Sequence, residues 1–173
     1  MRSVARAFAL VSAIVLGASA VPTTSGASVP IVTADLEGTP IGIAEVSSYY
    51  CHDLDYPKIH CYENSTALEA AVSSIESDRA ALSGDAAAGL QYVKLFDLTG
   101  YAGQFIILSI NYDNLSTIGW NDKVSSFIGV NNLSFGLWND PYQSGYGLIR
   151  CCNQRAASLS ATYDNQFSST ELR

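Results

Sequence analysis

A seven-residue element occurs twice in the C-terminal half, and both copies hold the same place in a longer repeat. Trp120-Asn121-Asp122-Lys123-Val124-Ser125-Ser126 returns 43 residues later as Tyr163-Asp164-Asn165-Gln166-Phe167-Ser168-Ser169. Upstream, Leu95-Phe96-Asp97 returns as Leu137-Trp138-Asn139 and Gly103 as Gly145, both 42 residues later. Landmarks recurring in one order at one spacing mark an internal duplication. From Gln91 onward, β-branched and aromatic runs are broken by Gly, Asn and Asp, the texture of strands and turns. Each unit has room for four short strands. Two such units are expected to pack face to face as a small β-sandwich.

The repeated element also carries chemistry. Asp122 and Ser125 stand three apart, as do Asn165 and Ser168. In a tight loop their side-chain oxygens converge with main-chain carbonyls. Calcium takes six to eight oxygen ligands, including carbonyls and waters, and Asn, Asp and Ser supply few soft donors that would favour another metal. One such copy reads as ordinary turn-forming residues. Two in register within an acidic chain point to calcium.

These residues resemble the βγ-crystallin family, in particular its calcium-binding microbial branch. That family's loop reads Asn/Asp, Asn/Asp, two free positions, Ser/Thr, Ser, and both copies match throughout. Its other signature, an aromatic, four residues, an aromatic, one residue and Gly, is met by Phe96, Tyr101 and Gly103. In the second unit Trp138 and Gly145 fit, but Gln143 takes the second aromatic place, which implies a slightly different hairpin. The resemblance covers about residues 91–173 and implies two Greek-key units in a sandwich, with Ca2+ sites built crosswise. One site would use Asp122 and Ser125 with the hairpin around Asn139 and Asp140. The other would use Asn165 and Ser168 with the hairpin around Asp97. Lys123 and Gln166 would contribute main-chain carbonyls. Ser126 and Ser169 would pin the folded hairpins. Few carboxylates per site imply dissociation constants on the order of 10⁻⁴ to 10⁻³ M.

The N-terminus points to secretion. Arg2 and Arg6 precede the apolar run Ala7 to Leu16 and the small-residue sequence Ala18-Ser19-Ala20, the order of a signal peptide over residues 1–20. No other apolar run is long enough to span a bilayer. Residues 21–40 include a stretch rich in Ser, Thr, Gly and Pro and read as a flexible leader. Without Arg2 and Arg6, seven basic residues face sixteen acidic ones. That balance gives no basic stripe for nucleic acid and suits a cation.

Four cysteines fit an oxidising compartment. A hairpin turning at Tyr56 places Cys51 opposite Cys61 and His52 opposite His60, on opposite faces. A Cys51–Cys61 bridge is then sterically reasonable. The same alternation splits the ligands of a Cys2His2 zinc site, and the two histidines alone lack further ligands. A bridge between adjacent strand positions Cys151 and Cys152 would be strained, so crossed pairs to the hairpin remain open.

A hairpin-helix segment is expected over 41–83. Thr66 and Glu69 suggest a capping box, and Leu68, Ala71, Val72 and Ile75 form one helical face from about Ala67 to about Glu76. Residues 83–89 read as a linker to the domain at 90–173. No hydrolase, zincin or phosphate-loop motif is present, and a non-enzymatic protein is expected. The alternative reading is a secreted peptidase inhibitor or killer-toxin-like protein on the same fold. Its protease partner would meet the hairpin tip from Asp53 to Lys58.

Overall fold

The computed structural model describes residues 30–83 and 89–173. The expected signal peptide, the start of the leader and most of the linker lie outside them.

The duplication is visible as two Greek-key units that exchange one strand. The first unit supplies β5 (Tyr92–Leu98), β6 (Ala102–Leu108) and β7 (Ser126–Val130). The second supplies β8 (Phe135–Asp140), β9 (Ser144–Arg150), β10 (Arg155–Ala156) and β11 (Ser169–Leu172). β10 leaves its own unit to pair with β7. Tyr112 makes the reciprocal move, bridging Thr170 of β11. Its amide donates to the Thr170 carbonyl at 3.1 Å, and its carbonyl accepts the Thr170 amide at 2.9 Å. Val93, Leu95, Ile106 and Phe127 of one sheet and Phe135, Leu137 and Leu148 of the other are all buried in one core. The expected two-unit sandwich is thus the observed architecture.

The N-terminal segment extends the first sheet. β1 (Thr33–Leu36), β2 (Thr39–Ile41), β3 (Tyr50–Asp55) and β4 (Lys58–Tyr62) bring it to eight strands, ordered β10-β7-β5-β6-β3-β4-β1-β2. The junction is parallel, Cys51 beside Ile106 and His52 beside Ile107. Residues 33–40, assigned to the leader by composition, are therefore largely strand. Their alternation is too short to read alone, and pairing with β4 holds them.

Helix α1 (Ser65–Ser83) runs seven residues beyond the expected end. Its first turn is capped by Asn64, whose side-chain oxygen accepts the Ala67 amide at 2.9 Å. Thr66 is not the cap, because the helix has already begun there. Asn is at least as good a cap as Thr. Leu68 and Val72 are buried against Phe96, Phe105 and Ile107, with Ile75 at the margin. Arg79 donates to the Leu54 carbonyl at 3.0 Å and holds the far end of the helix. No helix among the described residues is long and apolar enough to cross a membrane.

Both hairpin expectations at the N-terminus hold. Cys51 faces Cys61 and His52 faces His60, and Cys51 and Cys61 are disulfide-bonded. Cys151 and Cys152 bond to each other. Crossed pairing is not adopted. The objection to an adjacent pair assumed a strand, but β9 ends at Arg150. The pair lies in a turn, where Cys152 has a φ of 65°.

Candidate functional site

The two polar loops meet each other. Each follows a buried aromatic or half-buried tyrosine, and each turns back where its second polar residue adopts a left-handed backbone. Asp122 has a φ of 54° and Asn165 a φ of 53°. Asn and Asp tolerate this region better than most residues. The Asp122 amide donates to the Phe167 carbonyl at 2.9 Å, and the Asn165 amide to the Val124 carbonyl at 3.0 Å. The loops are thus related to each other by the repeat. Val124 and Phe167, at the free positions of the element, are fully buried and anchor the loops in the core.

Each loop then clasps the first hairpin of its own unit. The Ser125 amide donates to the Phe96 carbonyl and the Ser168 amide to the Trp138 carbonyl, both at 2.8 Å. The Ser126 hydroxyl donates to the Leu98 carbonyl at 2.6 Å and accepts the Tyr101 amide at 3.1 Å. The Ser169 hydroxyl donates to the Asp140 carbonyl at 2.7 Å and accepts the Gln143 amide at 3.0 Å. Both serines pin hairpins as expected.

This clasp revises how the candidate ligands group. Ser125 sits beside Asp97, because β7 pairs with β5 of its own unit. What crosses over is the second polar position. The Ser125 hydroxyl donates to Asn165 Oδ1 at 3.3 Å. One candidate site therefore gathers Asp97, Ser125 and Asn165. Repeat symmetry would assign Asn139, Ser168 and Asp122 to the other, where the Asp122 Oδ2 accepts the Asn121 side-chain amide at 2.6 Å and makes no matching contact to Ser168. Lys123 and Gln166 precede the buried residues of each loop, and the Lys123 charge acts on the Asp97 carboxyl.

The second hairpin also folds like the first. Tyr142, Gln143 and Gly145 have φ values of 61°, 52° and 74°; Gly100, Tyr101 and Gly103 have 74°, 59° and 75°. The register shifts also correspond, between Phe96 and Leu98 in one unit and between Trp138 and Asp140 in the other. The expected irregularity at Gln143 is absent. The bond from its amide to Ser169 sets the backbone, and an aromatic side chain is not needed for it. A side chain at Gly103 would strike Asp97 Oδ1, and one at Gly145 would strike Asn139 Oδ1. Glycine keeps room for an oxygen in both hairpins.

The donor set suits a hard cation. Asp97 Oδ1, Asn139 Oδ1 and Asp164 Oδ1 are buried and accept no hydrogen bond from the protein. Such unmet acceptors are costly. Burial pushes the Asp97 carboxyl above its usual range, against the pull of nearby amides and Lys123. Ser125 and Ser168 are buried, whereas Asp122 and Asn165 are exposed. Among the described residues no group of three or more His, Cys, Asp or Glu is placed to hold a metal. Any metal here would rely mainly on hydroxyl, amide and main-chain oxygens, with a single carboxylate in each candidate site.

The hairpin tip is not a free loop. The Pro57 carbonyl accepts the Thr33 amide at 3.1 Å, and the Tyr56 ring packs edge-on to Tyr112. Below it lies a buried carboxyl that composition did not single out. Asp53 Oδ1 accepts the Ser109 amide at 2.6 Å and its hydroxyl at 2.8 Å. Burial pushes this group up to about 6. His52, its neighbour on the opposite face, is pushed down to about 4 by burial and by His60. His60 contacts Asp35 at 2.9 Å and Asp55 at 3.6 Å.

No protein-family model and no curated protein sequence matches the chain. Among solved structures, it is similar over 47% of its length to a βγ-crystallin from Ciona intestinalis, at 23% identity, 99% coverage of that chain and a TM-score of 0.44. A βγ-crystallin domain from Flavobacterium johnsoniae matches over the same share at 23% identity, 92% of its own length and a TM-score of 0.42. An archaeal βγ-crystallin matches over 49% of this chain and 100% of its own at 15% identity and a TM-score of 0.43.

Proposed function

We propose that this is a secreted, non-enzymatic βγ-crystallin-like protein that binds calcium at two sites, one on each hairpin. The observation that carries the reading is the meeting of Ser125 and Asn165 across the repeat, next to a hairpin oxygen with no partner. Buried acceptors without donors lower stability unless something electropositive meets them. A calcium ion would supply that positive charge. Asp97, Ser125 and Asn165 would hold one ion, and Asn139, Ser168 and Asp122 the other, with carbonyls of the loops and hairpins completing each shell.

The consequence would be mechanical. Each site joins a hairpin of one unit to a loop of the other, so an ion bound only by the folded state ties the units together. Such a ligand stabilises by mass action, about 2.7 kcal/mol at a hundredfold excess over its dissociation constant. Titration calorimetry of calcium into chelator-treated protein tests the reading, with two sites expected per chain. Absence of heat at millimolar calcium, together with an unchanged melting temperature, would sink it.

A further inference from the structure

The two disulfides stand in opposite surroundings. Cys51–Cys61 ties β3 to β4, and both residues are 0% exposed in the core. Cys151–Cys152 joins adjacent residues, and both are exposed. A crosslink stabilises a fold chiefly by closing a loop of the unfolded chain, and it does so less as the loop shortens. Between neighbours it encloses a single peptide unit and ties no two elements together. Its role lies elsewhere than in stapling the fold, and exposure leaves both sulfurs open to attack.

The pair sits where the chain changes sheets. β9 ends at Arg150 in the three-stranded sheet, and β10 begins at Arg155 beside β7 in the larger one. Specific bonds hold the connection. The Cys152 amide donates to the Leu133 carbonyl at 3.0 Å, and the Gln154 carbonyl accepts the Gly129 amide at 2.9 Å. The Asn153 side chain accepts the Asn132 amide at 2.8 Å and donates to Asn132 Oδ1 at 3.0 Å. Cys152 and Asn153 have φ values of 65° and 64°. Asn tolerates this left-handed region, whereas for Cys it is uncommon. The ring closed with Cys151 restricts the backbone of Cys152 to few conformations, and opening it frees Cys152 to leave this one. Charge also favours attack. Residues 141–163 contain Arg150 and Arg155 but no Asp or Glu, in a chain with sixteen acidic residues. A thiolate, the attacking form of a thiol, is drawn to such a stretch.

We propose that Cys151–Cys152 is a redox modification site whose substrate is a dithiol, and that opening it loosens β10 from β7. One thiolate of the dithiol attacks a sulfur of the pair, breaking the S–S bond and forming a mixed disulfide. The released cysteine thiolate takes a proton. The second thiolate of the dithiol then displaces the other cysteine, which is protonated in turn. The pair gains two electrons and two protons, and the dithiol leaves as a disulfide. Cys51–Cys61 lies out of reach in the core and stays closed. β10 has only two residues, Arg155 and Ala156, paired with Ile128 and Phe127, so a freed connection is enough to loosen it.

The test treats the native full chain with dithiothreitol, quenches with iodoacetamide and digests with trypsin. Cleavage after Arg150 and Arg155 isolates both cysteines in the peptide 151–155. That peptide should gain two carbamidomethyl groups at least tenfold faster than Cys51 and Cys61 are labelled. Amide exchange in the reduced protein should quicken at residues 127–129 and 154–156 and stay unchanged at 104–108. The double variant Cys151→Ser, Cys152→Ser should reproduce that pattern without reductant; should it fail to fold, the reduced and alkylated native chain gives the same reading. Equal labelling of the two pairs, or earlier labelling of Cys51 and Cys61, would overturn the proposal. Labelling of the peptide 151–155 before dithiothreitol is added would overturn it as well, since no bond would then exist there to open. Unchanged exchange at 127–129 in the reduced chain would show that the ring does not hold β10.

Discussion

The Ser125 hydroxyl donates to the Asn165 side-chain oxygen at 3.3 Å, joining residues that stand at different positions of the two repeated loops. A serine clasped to its own hairpin thus meets the residue that the other loop turns outward. This pairing separates two groupings of the candidate ligands by experiment. If the contact marks one site, Ser125→Ala and Asn165→Ala each remove the same calcium ion, and the double variant loses no more than either alone. Asp122→Ala should remove the other. Calorimetric stoichiometry reads this directly: one site should remain in the first three variants, and none when Asp122→Ala is added. One remaining site in Ser125→Ala plus Asp122→Ala would restore the grouping by single loop.

Ser126 and Ser169 should behave alike and not as ligands. Each hydroxyl both donates to a hairpin carbonyl and accepts a hairpin amide, and both serines are fully buried. Removing such a group leaves buried partners unmet, at about 1–3 kcal/mol. Ser126→Ala and Ser169→Ala should therefore lower urea stability by similar amounts in the presence of chelator, where metal plays no part. A loss seen only with calcium present would make them ligands instead.

These expectations show what local sequence can carry. The serine pair and the Cys51–Cys61 register were legible because each is fixed by alternation or by close sequence spacing. The grouping of Ser125 with Asp97 was not, since it follows from β7 pairing with β5, a contact between strands some thirty residues apart. The junction of β3 with β6 was equally hidden. A parallel pair is joined by a long connection, here β4, α1 and β5, and leaves no turn signature. At Gln143 the error was chemical. The missing aromatic suggested a changed hairpin, but the serine hydroxyl at position 169 holds the backbone through an amide that any non-proline residue provides.

The eight-stranded sheet predicts that the N-terminal segment and the duplicated units unfold together. Leu68, fully buried against residues of β5 and β6, links them through its side chain. Leu68→Ala should cost about 2–5 kcal/mol. Both tryptophans lie in the duplicated half, while α1 dominates the helical circular dichroism. Urea transitions followed by the two signals should coincide in the native protein. Helix loss at lower urea than the tryptophan change would mean that the segment is a separate unit.

Adjacent residues of β3 should impose opposite pH slopes on stability. Asp53 is fully buried, and burial raises it from 3.8 to about 6. Between those values the native state holds more protons than the unfolded chain at this site, so its contribution falls as pH rises, by about 3 kcal/mol in all. His52 is 1% exposed and is lowered from 6.5 to about 4 by burial and by His60. Here the unfolded chain binds the extra proton, so the contribution falls as pH drops from 6.5 to 4, again by about 3 kcal/mol. The two nearly cancel across pH 4–6. Single substitutions unmask each one. His52→Phe should make urea stability decrease with rising pH in that window, and Asp53→Asn should make it increase. The aromatic replacement keeps the stack on Tyr62, and the asparagine keeps an acceptor for Ser109, so both variants should fold. Parallel pH profiles for the two variants would show that neither group titrates as its burial requires.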